Sequence, residues 1–301
     1  MKKRIIHSTI ATLFFCLCLS STSTADEFKI AVRTINGIEA GVKQWQATAE
    51  HLTKAIPEHN FKLVPIVKLH DVLAATEAGE VDFILSNPSS FVEINELYKA
   101  TPLATLNNKR GDKALSQFGS VIFTHAANDD ILTLKDLKGK TLMAVSEPAF
   151  GGWQTAWLEL LKHGLNPYLD LKELLFSGGI QSKVVISVLE GKADAGVVRT
   201  DQLERMAKKG DIDLRYLRVL NNKHIEGFPF YLSTELYPEW PFAALPHVDN
   251  KIIDQVTSAL LAITTNDKAA IDGRYNNWIT PKSYQSVKQL MIQLKVGPFT
   301  R

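Results

Sequence analysis

The chain has 301 residues, and 34 Lys and Arg against 32 Asp and Glu leave a formal net charge of +2. That near-neutrality gives no electrostatic case for binding nucleic acid or an anionic membrane surface. Both cysteines, Cys16 and Cys18, lie within the first 25 residues, so the rest of the chain can form no disulfide, thiolate metal site or cysteine nucleophile.

Residues 1–25 read as a signal peptide. Lys2, Lys3 and Arg4 form a positive start, Ile10–Leu19 is a short apolar run, and Ser23-Thr24-Ala25 supplies small residues for cleavage before Asp26. The expected destination is the periplasm. Removing the leader takes away three positive charges, so 31 cations face 32 anions and the balance becomes −1. No later stretch reaches the roughly 20 apolar residues of a membrane span. The chain also shows no kinase segment, so it is expected to act through another protein.

Phe28–Val32 reads as a strand ending at Arg33. A loop, Thr34–Gly41, leads to a helix with Trp45, Ala49, Leu52 and Ile56 at helical spacing, stopped by Pro57. Phe61–Val67 is the next strand, Val72–Ala78 a helix closed by Gly79, and Val81–Leu85 a third strand. Alternation of this kind predicts an α/β sheet, mostly parallel. The rhythm then repeats. Phe118–Thr124 and Thr141–Val145 are strands, and after Ser146 a helix places Trp153, Ala156, Trp157, Leu160 and Leu161 on one face. Leu171–Phe176, a helix over Lys183–Leu189, and the strand Ala195–Val198 follow.

The two third strands match in order: GEVDFILSNP (79–88) and GKADAGVVRT (191–200). The first strands match too, as KIAVR (29–33) and LMAVS (142–146). Two similar α/β lobes follow. Leu217–Leu220 begins the way out of the second, and Phe228–Leu232 is expected to re-enter the first. The lobes would then be 26–117 plus 228–301, and 118–227. Two chain crossings make a hinge, and hinged lobes close around ligands.

AGEVDFILSNPSSF, FGSVIFT, LKDLKGKTLMAV, EPAFGGWQTAW and EGKADAGVVRTDQLERM, in that order and spacing, resemble the phosphate/phosphite/phosphonate periplasmic binding proteins. FGSVIFT, AFGGWQ, VRTDQLERM and LYPEWPFAALPH are similar to the branch that supplies tetrathionate-sensor modules. The resemblance implies a type II periplasmic-binding-protein fold, two α/β lobes on a two-crossing hinge with the ligand between them. It implies a small oxyanion as ligand and a membrane ABC permease as partner. The alternative partner is a two-component histidine kinase, for which the protein would be a detached periplasmic sensor. A monomer is expected, with no cofactor, no metal and no catalysis. Gly139-Lys140-Thr141 looks like the end of a P-loop, but Leu134 stands at its first glycine, and HExxH and GxSxG are absent.

Ligands in open α/β lobes gather at the carboxyl ends of the strands. Four such ends are Arg33, Ser86-Asn87, Ser146 to Trp153, and Arg199-Thr200. Phe150-Gly151-Gly152-Trp153 admits two readings. Bare N–H groups at a helix start can bind an anion, or the glycines serve a tight turn with Phe150 packed inward. Phosphonate binders that this loop resembles place Ser or Thr hydroxyls where Ala149 and Phe150 stand, which puts phosphonate itself in question. Where relatives tend to carry an acid, this chain has Arg199, suited to a second anionic end or to an ion pair with Glu226 or another acid across the hinge. Arg33 is a cation at the cleft or a solvated loop residue. Asn87 reads first as an N-cap before Pro88. Phe91, near a tyrosine of relatives, would give a drier wall, and Gln154 is a polar candidate. Thr200 or Asp201, with Glu204, is read as a capping box, and Trp45 and Trp153 as core ahead of ligand shelf. Phosphonate, phosphite, sulfonate, thionate and carboxylate all remain open as ligands.

Overall fold

The computed structural model describes residues 26–34 and 37–300; the signal-peptide reading lies outside them. The first third alternates: β1 (Asp26–Arg33), α1 (Ile38–Ala55), β2 (His59–Ile66), α2 (Leu69–Glu77), β3 (Phe83–Leu85) and α3 (Pro88–Tyr98). Next come β4 (Thr101–Arg110), β5 (Lys113–Leu115), β6 (Gln117–Phe118) and β7 (Ser120–His125). β8 (Thr141–Ala144) leads through a π-helical turn, Phe150–Gln154, into α4 (Thr155–Lys162). β9 (Glu173–Phe176), α5 (Gln181–Leu189), β10 (Ala195–Arg199), α6 (Gln202–Lys209) and β11 (Leu217–Leu220) complete that region. The chain ends with β12 (Tyr237–Pro238), β13 (Pro241–Ala244), α7 (Asn250–Leu261), α8 (Lys268–Gly273), β14 (Tyr275–Ile279) and α9 (Gln285–Leu294).

These strands form two main sheets. The first runs β14-β4-β13-β3-β1-β2 with β5 beside β4, and the second β11-β7-β10-β8-β9. Both are mixed, where mostly parallel sheets were expected. β1 is parallel to β2 and β3, and β8 to β9 and β10. β13 pairs antiparallel with β3 and β4 in one sheet, and β7 with β10 and β11 in the other. Antiparallel pairing needs no crossover helix, so β4 and β13 break the strand-helix rhythm and escape a reading based on it.

The predicted strand 118–124 divides at Gly119. A Cβ there would stand 2.6 Å from Thr234 Oγ1 and 2.7 Å from the Glu235 carbonyl, so the two crossings pass too closely for a side chain. The way back also lies later than expected. Phe228–Leu232 forms no strand, Lys223 N–H donates to Leu232 O at 2.7 Å, and Ser233 N–H to Ser120 O at 2.9 Å, all on the second sheet's side. The return is β12, which pairs antiparallel with β6 as a two-stranded ribbon between the sheets.

Each lobe has its own core. In the first, α1 lays Trp45, Ala49 and Leu52 on the sheet, and Trp45 stacks on Tyr275 at 6.0 Å and on Trp240 at 6.4 Å. Burying such side chains is worth roughly 1.5–3 kcal/mol each. In the second, Trp153, Ala156 and Leu160 pack against Leu142, Ala144 and Val197. Strand ends from both sheets are thereby held toward one cleft.

Candidate functional site

β1 ends in the buried run Ile30-Ala31-Val32, which carries Arg33 to the cleft while still 6% exposed. Its Nη1 donates to Ser90 Oγ at 2.7 Å, and its Nε has no partner among the described residues. Burial lowers the Arg33 pKa, against the opposing field of Glu93. β4 delivers Asn108 and, at its end, Arg110, whose Nε lies 3.3 Å from Asp201 Oδ2 without hydrogen-bond alignment. Burial, reinforced by Arg199, pushes the Arg110 pKa down to about 10. From the other lobe β10 ends in Arg199. Its Nη2 pairs with Glu239 Oε1, its guanidinium carbon sits 3.9 Å above the Phe118 ring, and its Nε has no partner among the described residues.

These three arginines line one cavity of about 170 Å³ with Thr34, Gln44, Trp45, Asn108 and Trp240. At about 30 Å³ per water, that is the space of roughly six waters, the scale of a small anion. The walls come from the first lobe except for Arg199, which reaches in from the second. Arg33 is buried and Arg110 and Arg199 are partly exposed, with the carboxylates of Glu93, Asp201 and Glu239 standing near them. A buried cation without a matching partner is costly. Three guanidinium side chains bordering one space offer forks that meet an oxyanion with paired hydrogen bonds.

Arg33 and Arg199 are therefore both brought to this chamber, and Arg199 also makes the ion pair left open in the sequence, with Glu239 as the acid. Gln154 lines a second, larger cavity between the lobes, about 600 Å³, with Ser89, Ser90, Glu93, Glu147, Trp157 and Tyr168. The Gln154 amide oxygen is buried without a partner among the described residues. Ser90 borders it while accepting from Arg33, so one hydrogen bond separates the two spaces.

The other expected site residues line neither cavity. Asn87 is an N-cap, its Oδ1 accepting from Ser90 N–H and Ser89 Oγ, each at 3.0 Å. Ser86 is buried, with its hydroxyl turned to the Asn87 carbonyl at 3.4 Å. Phe91 packs edge-on against Tyr284 at 4.9 Å. Ser146 closes a turn, its carbonyl accepting from Ala149 N–H. Phe150 packs inward between Phe118 and Tyr237, and Trp153 is fully buried against Trp157.

The glycine pair is explained by close approach. A Cβ on Gly151 would be 2.5 Å from the Phe118 ring, and one on Gly152 2.6 Å from Val145. The expected capping box at α6 is not formed either. Asp201 makes no side-chain cap hydrogen bond, because its carboxylate faces Arg110 and Arg205. Glu204 instead accepts from Tyr231 N–H, and Thr200 Oγ1 accepts from Gly119 N–H.

Comparison with known proteins bears on the family and the fold. The profile of the family described as ABC transporter, phosphonate, periplasmic substrate-binding protein matches residues 36–284. The tetrathionate sensor histidine kinase TtrS of Salmonella typhimurium is 33% identical over 278 residues, covering 92% of this chain. The chain spans 45% of that relative's length. Among solved structures, PhnD1 from Prochlorococcus marinus in complex with methylphosphonate superposes with a TM-score of 0.67 at 15% identity, covering 90% of this chain and 98% of that one. XAC2383 from Xanthomonas citri bound to ATP gives 0.69 at 16%, covering 91% and 97%. At these identities the structures establish the fold, a type II periplasmic binding protein.

Proposed function

The chain belongs to the family of periplasmic substrate-binding proteins of phosphonate ABC transporters, and from that premise we propose that it captures a small oxyanion between its lobes, in the arginine chamber, for delivery to a membrane permease. The observation that carries this reading is the convergence of Arg33, Arg110 and Arg199 on one cavity. Closure over the anion would present a changed outer surface to the permease. The signal-peptide pattern supports a periplasmic setting, and the ligand-binding unit would act as a monomer.

The identity to TtrS favours a second reading for the same pocket, in which the chain reports oxyanion occupancy to a two-component histidine kinase. The two readings share ligand chemistry and differ in partner. A thermal-shift screen of the purified protein against methylphosphonate, phosphite, phosphate, methanesulfonate, tetrathionate and acetate tests the shared claim. Binding to the folded state stabilises it by about 2.7 kcal/mol at a hundredfold excess over Kd. One oxyanion class is expected to raise the melting temperature. Absence of any shift would remove the oxyanion reading.

A further inference from the structure

The arginine chamber does not end at Arg110. A further cavity, of about 430 Å³, adjoins it and shares Ala40, Gln44, Asn108 and Arg110 with it. Arg110 thus borders an inner and an outer space, while Arg33 and Arg199 border the inner one alone. The outer space adds two more cations, Lys43 and Arg274. The one acid on its wall, Asp272, is already held by Lys268 at 2.6 Å, and neither Lys43 nor Arg274 lies in an ion pair among the described residues.

Sequence and packing bring these cations together. Ala40, Lys43 and Gln44 fall at i, i+3 and i+4 of α1, on one face of the helix. Gln44 Nε2 donates to the Gly273 carbonyl at 3.3 Å, which ties that face to the end of α8. Arg274 caps α8 in the left-handed region, φ 55°, and the next residue, Tyr275, is fixed by its stacking on Trp45 and by the Thr48 hydroxyl at 3.1 Å. Every wall of the outer cavity comes from the first lobe, so it does not depend on how the lobes meet. The inner chamber does, because Arg199 belongs to the second.

An anion that fills only the inner chamber leaves Lys43 and Arg274 without a counter-ion, whereas one that continues past Arg110 meets both. Resting on the oxyanion reading, we propose that the ligand is a two-ended dianion. One anionic group lies among Arg33, Arg110 and Arg199, a short spacer passes Arg110, and the second anionic group lies in the outer cavity with Lys43 and Arg274. The first lobe receives both ends, and closure brings Arg199 over the inner one. Exposed ion pairs are individually weak, so the outer pair raises affinity by about fivefold and leaves the larger share to the chamber.

Calorimetric titration of the purified protein tests this at about 0.15 M salt, where exposed charges more than about 8 Å apart are largely screened. The probes are matched pairs: acetate and succinate, methanesulfonate and 1,2-ethanedisulfonate, methylphosphonate and 1,2-ethylenediphosphonate. In at least one pair the two-ended member should bind wild type about fivefold more tightly than its one-ended partner. Lys43→Gln/Arg274→Gln replaces two exposed side chains and should melt as wild type does. It should lose that fivefold advantage for the two-ended anion and change the one-ended affinity less than twofold. Equal binding of both members to wild type, a variant that weakens both alike, or a variant that binds the two-ended anion as wild type does would each overturn the outer subsite and leave the oxyanion reading standing. No binding by any of the six probes would overturn both.

Discussion

In the proposed site, Arg110 is the residue whose environment would set the working range. Burial and the neighbouring Arg199 bring its pKa to about 10 from the usual 12.5. A bound anion favours the charged form, so anion binding and protonation of Arg110 support each other. Oxyanion affinity should be level through neutral pH and should fall as pH rises through about 10, where the unliganded protein loses that charge. Calorimetric titration at pH 8, 9, 10 and 10.5 checks this; flat affinity across the series would take Arg110 out of the site. Asn87 has a different duty. Asn87→Ala removes a cap to Ser90 N–H and should cost about 1 kcal/mol of stability, read by urea unfolding, while oxyanion affinity changes little. Arg33 and Arg199 could be read from the sequence because each follows a buried strand with a cation at its carboxyl end. Arg110 could not, since Thr101–Arg110 lies outside the strand-helix rhythm and its Arg-Gly-Asp end looks like an ordinary hairpin turn. Asp201 was misread as a cap, because a capping position and an ion-pair position carry the same residue types.

Among the elements, the π-helical turn Phe150–Gln154 is the most constrained by packing. Its two glycines let the turn lie on the Phe118 ring and on Val145, and they bring no backbone group to either cavity. Gly152→Val should therefore destabilise the fold by about 1–3 kcal/mol as an overpacked site, visible as a lowered melting temperature. A variant of undiminished stability would return the pair to a role in binding. The apolar spacing of Trp153, Ala156 and Leu160 was sufficient to place α4 but not to show the wider turn before it, because a π turn differs from an α turn in hydrogen bonding and not in side-chain type. Elements of the alternating segments were legible to within a few residues. The antiparallel returns β13 and β14 were not, since short strands of four and five residues carry little period-2 signal.

At the scale of the whole molecule, the repeated Gly-x-x-Asp-strand pattern was enough to divide the chain into two lobes, and the paired Asp82 and Asp194 show why it recurs. Asp82 Oδ2 accepts from Lys29 N–H in β1 and Asp194 Oδ2 from Thr141 N–H in β8, each at 2.7 Å, so each aspartate ties its own segment to a parallel strand of its lobe. What the repeat could not reveal is how the lobes meet. The chamber depends on Arg110 and Arg199, which are 89 positions apart in sequence and reach one cavity only through the β6–β12 hinge. The central claim is that this chamber holds an oxyanion, and isothermal titration of wild type and Arg110→Gln with the anion found by thermal shift tests it most directly. Single-site binding weakened about tenfold in the variant, a loss of about 1.4 kcal/mol, is the predicted result, with the fold spared because Asp201 retains Arg205. Equal affinity in the two proteins would contradict the account and place the anion elsewhere.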